Sequence, residues 1–337
     1  MNTLLPHNLK NIVSTTTKEN FVDTALQVFN FQYINNVVYK NYCDLININV
    51  AKINSIEKIP FLPIQFFKSK IIKTTPFETE TIFESSGTTG SINSKHFVKD
   101  VNIYEESFLK GFRQFYGSEN NYCIIGLLPS YLERKGSSLV YMVNDLINKS
   151  CKKESGFYLY DYKKLKEVLL KNEAAKQKTI LIGVTYALID FAEQNNMQLN
   201  YTTIMETGGM KGRREEMTRK EVHTLLMKKL GVATVHSEYG MTELLSQGYS
   251  KAGGIFNCPP WMRVLVRSED DPFNIIAANN ITNDFVTGAI NIIDLANIYS
   301  CSFIATDDAG KLYADNSFEI TARLENSDIR GCSLMVL

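Results

Sequence analysis

The sequence has no surplus of charge of either sign. Lysine plus arginine and aspartate plus glutamate stand at 36 each, and the isoelectric point is near 6.9. Proteins that hold nucleic acid through its phosphates show a basic excess, so no nucleic-acid partner is expected. Long apolar runs are missing too. None approaches the ~18 residues of a membrane span, and the opening MNTLLPHNLKNIVS has no charged stretch leading into an apolar one. Neither a membrane span nor a secretory signal is expected. The six cysteines, Cys43, Cys123, Cys151, Cys258, Cys301 and Cys332, include no CxxC pair. Structural zinc and a disulfide framework are therefore disfavoured. Together these absences predict a cytoplasmic protein with free thiols. Internal repeats and low-complexity linkers are lacking as well, which argues for subdomains of one unit. At 337 residues the chain can bury a substantial core.

Three zones are expected. Residues 1–80 read as a helical segment, because ENFVDTALQVFNFQYINNVVY carries apolar residues at helical spacing. Residues 81–250 read as an α/β core. NYCIIGLL, KTILIGV, YTTIME and ATVHSEY have the form of buried strands, with helices between them. Capping boxes are predicted at Asn102–Glu105, opening a helix that ends near Gly117, and at Thr218–Glu221, opening one that Gly231 closes. This alternation predicts a mainly parallel sheet covered by helices, with ligands at the carboxyl ends of its strands. Residues 251–337 read as a smaller β-rich, partly antiparallel subdomain ending in a tail.

Two familiar phosphate loops are absent. No GxxxxGK[ST] and no GxGxxG occurs. In their place stands FESSGTTG, residues 83–90, a Ser/Thr/Gly loop whose backbone N–H groups and hydroxyls could cradle an anion. Alone, such a loop is usually just a solvated connection. It has company in a fixed order: ETGGMKG, with Gly208 and Gly209; SEYGMTE, with Tyr239, Gly240, Met241, Thr242 and Glu243; ATDDAG, with Asp308; and TARLENSDIRG, with Arg323.

This ordered set resembles the acyl-adenylate-forming superfamily, and within it the LuxE-type acyl-protein synthetases, near the phenylacetate-CoA ligases. The resemblance runs from about residue 60 onward, with LLPSYLERKGSSLVYM and LIGVTYALIDFAE adding to it. It implies the large-domain fold of that superfamily. It also implies an ATP-dependent ligase in which a fatty or aryl carboxylate attacks the α-phosphate to give acyl-AMP and pyrophosphate. Ser85, Ser86, Gly87, Thr88, Thr89 and Gly90 would hold phosphates. Thr242 would donate to the α-phosphate, and Glu243 would hold Mg²⁺, a hard ion suited to carboxylate oxygen. Tyr239, Gly240 and Met241, with Gly208 and Gly209, would enclose adenine. Asp308, favoured over its neighbour Asp307, would bind the ribose hydroxyls, and Arg323 the ribose or phosphates.

There are two departures from the pattern. Asn93 stands where the superfamily has a lysine after the loop, which leaves Lys95 in doubt. Only 14 residues follow Arg323, so the usual C-terminal lid with its catalytic lysine is expected to be missing. LuxE-type enzymes transfer the acyl group to a cysteine near their end, which here points to Cys332 with Arg330 nearby. Two alternatives remain open: a CoA or carrier-protein ligase borrowing a lid, and a non-catalytic adenylate-binding protein. His223 and His236 read as structural, and Lys211, Arg213 and Arg214 as a solvated basic cluster.

Overall fold

A computed structural model describes residues 5–86, 92–129, 133–208, 217–268 and 270–324. Two compact units divide the described residues. The first gathers those of Met1–Phe108, Met241–Gln247 and Asn257–Ser327; the second gathers those of Leu109–Gly240 and Gly248–Phe256.

The elements begin with helices α1 (Ile12–Thr15), α2 (Phe21–Asn35) and α3 (Val37–Leu45), strand β1 (Leu62–Pro63) and helix α4 (Phe66–Ser69). A hairpin of β2 (Thr81–Glu84) and β3 (Lys95–Val98) leads into α5 (Val101–Tyr116). Then come β4 (Cys123–Leu127), α6 (Ser138–Ser150), β5 (Gly156–Phe157), α7 (Tyr162–Ala174), β6 (Thr179–Gly183) and α8 (Thr185–Gln194). β7 (Thr202–Glu206), α9 (Arg219–Leu230), β8 (Val235–Tyr239), β9 (Gly248–Ser250) and β10 (Ile255–Phe256) follow. The last are β11 (Met262–Arg267), β12 (Ile275–Ile276), β13 (Phe285–Asp294), β14 (Phe303–Tyr313) and β15 (Phe318–Arg323).

In the second unit the sheet order is β5-β4-β6-β7-β8-β9. The pairings from β5 to β8 are parallel, and β9 runs antiparallel to β8. CIIGL and TILIG are buried at every position, as a parallel strand covered on both faces requires. Three of this unit's helices start on side-chain caps: in α6 Ser137 accepts from Val140 N, in α7 Asp161 accepts from Lys164 N, and in α9 Thr218 forms the full box with Glu221. Gly231 ends α9 at φ 68°. A Cβ there would lie 2.7 Å from the Met197 carbonyl oxygen, so both backbone angle and space call for glycine.

The first unit is built on an antiparallel sheet, in the order β15-β14-β13-β11-β12, with β1 added parallel to β14. The expected N-terminal helix forms as two, because Asn36 breaks it and caps α3 by accepting from Tyr39 N. Its aromatic residues pack on the sheet: Tyr39 stacks on Phe303 at 6.0 Å between ring centres, and Phe29 meets Tyr39 edge-on at 6.2 Å. Gln32 adds polar ties, donating to the carbonyls of Asn297 and Ile298 and accepting from Ser302 N. The cap of α5 differs from the expected box. The helix starts at Val101, and Asp100 rather than Asn102 is the acceptor, taking the N–H of Asn102 at 3.0 Å.

Candidate active site

Thr242 and Glu243 lie in the first unit, on a segment without regular secondary structure. Its backbone is satisfied by side chains from elsewhere in that unit. Asn297 Nδ2 donates to the Glu243 carbonyl at 2.7 Å. Leu245 N donates to Asp294 Oδ2 at 2.8 Å and to Asn297 Oδ1 at 3.1 Å. Ser246 gives Asp294 both its N–H, at 2.9 Å, and its hydroxyl, at 2.6 Å. Burial pushes the Asp294 carboxyl up to about 6 even though these donors pull the other way. Trp261 Nε1 closes the network by donating to Ser246 Oγ and Ser107 Oγ. Buried backbone groups need such partners, and here they fix the main chain that presents the Thr242 hydroxyl and Glu243 carboxylate. Glu243 itself is fully buried.

In sequence, the Ser/Thr/Gly stretch lies between β2 and β3. Ser85 pairs with Ser94 beyond the strand ends, its N–H donating to the Ser94 carbonyl and its hydroxyl accepting from Ser94 N at 2.9 Å. Ser86, next along, is exposed. Gly87, Thr88, Thr89 and Gly90 lie outside the described residues. Lys95 is drawn to Glu84 on the paired strand, at 3.4 Å. One residue further, His96 reaches the Thr242 carbonyl with Nδ1 at 2.9 Å and the Ser300 hydroxyl with Nε2 at 2.8 Å. Sequence reasoning passed over His96, Asn297 and Asp294, since each acts on a segment distant in the chain.

Asp308 and Arg323 face one another across β14 and β15 as register partners. Arg323 Nε lies 3.4 Å from Asp308 Oδ1, and both side chains are largely buried. The adjacent Asp307 instead accepts a hydrogen bond from Gln65.

In the second unit, Gly208 follows β7 at φ 74°. Its N–H donates at 3.2 Å to Glu206 Oε2, which also accepts from the Thr185 hydroxyl at 2.7 Å. Burial would raise the Glu206 carboxyl, but His223, Arg219 and Thr185 outweigh it and hold it down at about 2. His223, read from sequence as structural, thus stands 3.8 Å from this carboxylate. Glu238 has the opposite environment: burial, helped by the charge of Glu206, pushes it up to about 8. Tyr239 follows at the end of β8, half-buried, its ring 5.9 Å from that of Phe256. Gly240 is also half-buried, and so is Met241, which belongs to the first unit. His236 contacts the Tyr116 hydroxyl through Nδ1 at 3.1 Å, and burial lowers it to about 4. Gly209, Lys211, Arg213, Arg214 and Cys332 lie outside the described residues.

The sequence model of the family described as acyl-protein synthetase, LuxE, matches residues 11–337. The chain belongs to that family. No curated protein matches it. Among solved structures, ATP-bound MatB from Rhodopseudomonas palustris is similar at TM-score 0.53 and 15% identity, over 73% of this chain and 48% of that one. The luciferase-like enzyme of the Zophobas morio mealworm gives 0.51 and 15%, over 75% and 60%. A long-chain-fatty-acid-CoA ligase (FadD1) from Archaeoglobus fulgidus gives 0.50 and 14%, over 73% and 52%. At these identities the likeness is one of fold, and it bears out the expected acyl-adenylate-forming architecture. This LuxE-family chain spans between 48% and 60% of the length of those three structures.

Among the described residues, no group of three or more His, Cys, Asp or Glu side chains is gathered that could hold a metal ion. Mg²⁺ needs no such cage. It takes one or two carboxylates and completes its shell with water and substrate phosphates. A carboxylate at Glu243, beside the hydroxyl of Thr242 on a pinned backbone, fits an ion that arrives with a nucleotide. Residue Asp308, with Arg323 opposite, fits a polyol next to an anion, since a carboxylate only accepts hydrogen bonds and a guanidinium only donates them.

Proposed function

We propose that this protein activates a fatty or aryl carboxylic acid as its acyl adenylate, using ATP, and then passes the acyl group to a thiol. A carboxylate oxygen bonds to the α-phosphorus, the bond from that phosphorus to the bridging oxygen breaks, and pyrophosphate leaves. The observation that carries this reading is the Thr242–Ser246 segment. An irregular stretch holds one hydroxyl and one carboxylate on a backbone tied down by Asn297, Asp294 and His96. Such preorganisation suits a reaction whose transition state gains charge on phosphoryl oxygens. Bound at Glu243, Mg²⁺ would supply neutralising charge to those oxygens. The hydroxyl of Thr242 would donate to the α-phosphate, with Ser85, Ser86 and the rest of their loop at the other phosphates. Asp308 and Arg323 would receive the ribose, and Tyr239 and Gly208 the adenine.

In the second step the acyl carbon bonds to a thiolate sulfur, the thiol proton goes to solvent, and AMP leaves with the carboxylate oxygen that joined it. Cys332 is the proposed acceptor within the chain. Burial disfavours three of the other thiols: Cys43 and Cys258 are pushed up to about 12, and Cys301 is raised further. Onward acceptors would be a protein thiol, a carrier protein or CoA. A cytoplasmic location fits the free thiols at Cys43, Cys123, Cys151, Cys258 and Cys301. No helix among the described residues is long and apolar enough to cross a membrane. The test is ATP–pyrophosphate exchange with a panel of fatty and aryl acids. Exchange that depends on both acid and Mg²⁺ supports the proposal, and its absence with every acid overturns it.

A further inference from the structure

The side chain that links the hairpin to the Thr242–Glu243 segment is His96, and its chemistry is set by its partners. A carbonyl oxygen can only accept, so the nitrogen facing the Thr242 carbonyl, Nδ1, carries the proton. Nε2 is then the acceptor, and the Ser300 hydroxyl donates to it. The ring is 1% exposed and packs edge-on against Phe67 at 5.7 Å between centres. Burial lowers it to about 4, so it is neutral at neutral pH, as this tautomer requires. Ser300 is in turn fixed, its carbonyl accepting from Asn36 Nδ2 at 2.7 Å and from the Thr74 hydroxyl at 2.5 Å. The imidazole therefore spans two fixed points, one of which is the backbone of Thr242. It stands on β3, two residues beyond Ser94, whose N–H donates to Ser85 Oγ beyond the strand ends.

We infer that His96 is a positioning residue: its Nδ1–H holds the Thr242 carbonyl and so sets how the Thr242 hydroxyl and Glu243 carboxylate are aimed, tying them to the strand that follows the Ser/Thr/Gly stretch in sequence. The inference rests on the proposed adenylation for its consequence in catalysis, and on geometry alone for its effect on the segment. A ring that only filled space would tolerate any neutral side chain of similar size. One that positions Thr242 requires a donor at the Nδ1 place.

Two substitutions separate these roles. In His96→Asn the amide Nδ2 takes the place of Nδ1 and keeps a donor for Thr242. In His96→Gln the amide sits at the place of Nε2, keeping the Ser300 contact and giving up the other. Hydrogen exchange of the Thr242–Ser246 amides, measured without ligands, is expected to quicken about tenfold in His96→Gln and stay within about threefold of wild type in His96→Asn. In pyrophosphate exchange, kcat should fall at least tenfold in His96→Gln and recover in His96→Asn, with KM for the acid unchanged in both. Equal effects of the two variants on amide exchange, or none in His96→Gln, overturn the inference. If amide exchange behaves as expected but wild type shows no pyrophosphate exchange, the adenylation reading fails and the positioning of the segment stands.

Discussion

Asp308 and Arg323 are register partners across two antiparallel strands, with Nε 3.4 Å from Oδ1. The pair is held by the sheet itself, so its spacing does not depend on a flexible loop. Its neighbour Asp307 is turned to Gln65 instead. Asp308→Ala is therefore expected to weaken ATP binding by roughly 1–3 kcal/mol, the scale of hydrogen bonds to a charged group. Asp307→Ala should do less. Calorimetric titration of ATP into both variants checks this ranking, and the reverse order would move the ribose contact to Asp307.

Glu243→Gln keeps size and hydrogen-bonding shape while removing the charge. Pyrophosphate exchange should drop by about 100-fold or more, with thermal stability little changed. An unaltered rate would take Glu243 out of the mechanism.

Asp294 accepts from Leu245 N, Ser246 N, Ser246 Oγ and Ala296 N. Asp294→Ala takes the carboxylate from all four, leaving Leu245 N with Asn297 Oδ1 and the N–H groups of Ser246 and Ala296 without this acceptor, and it should destabilise the protein by roughly 1.5–3 kcal/mol or more. Urea denaturation measures this, and a loss under 0.5 kcal/mol, roughly the effect of a surface change, would mean water replaces the carboxylate.

Glu238 gives the stability a pH dependence with a definite sign. Its folded value of about 8 lies above its ordinary 4.5, so between those pH values the folded state binds more protons than the unfolded one. Stability from this group is lost as pH rises through that window. Glu238→Gln, which cannot ionise, should gain on wild type by a few kcal/mol on going from pH 4.5 to pH 8. Denaturation curves at the two pH values read the difference directly; a constant difference would show that Glu238 ionises normally.

Much of the fold was legible because it is written locally. The strands of Cys123–Leu127 and Thr179–Gly183 announce themselves as short apolar runs, and the Thr218–Glu221 box and Gly231 mark both ends of one helix. Two-residue strands such as Leu62–Pro63 and Ile275–Ile276 have no periodicity to read. At the start of α5, Asp100 and Asn102 are both good caps, and only the backbone path decides for Asp100. In the candidate site, the ordered motifs pointed to Thr242, Glu243, Asp308 and Arg323. The residues that hold the first two in place were hidden by distance: His96 lies 146 residues from Thr242, and Asn297 lies 54 from Glu243. A lone histidine two residues from a serine carries no sign of a partner that far away.

In the proposed reaction the acid is activated by bonding to the α-phosphorus of ATP. Incubation with ATP, Mg²⁺, a thiol acceptor and an acid labelled with ¹⁸O in its carboxylate tests it most directly, by mass spectrometry of the nucleotide released. AMP carrying one oxygen from the acid is expected, because that oxygen stays on phosphorus when the acyl group leaves. Label in inorganic phosphate with ADP as the nucleotide, or AMP without label, would contradict it.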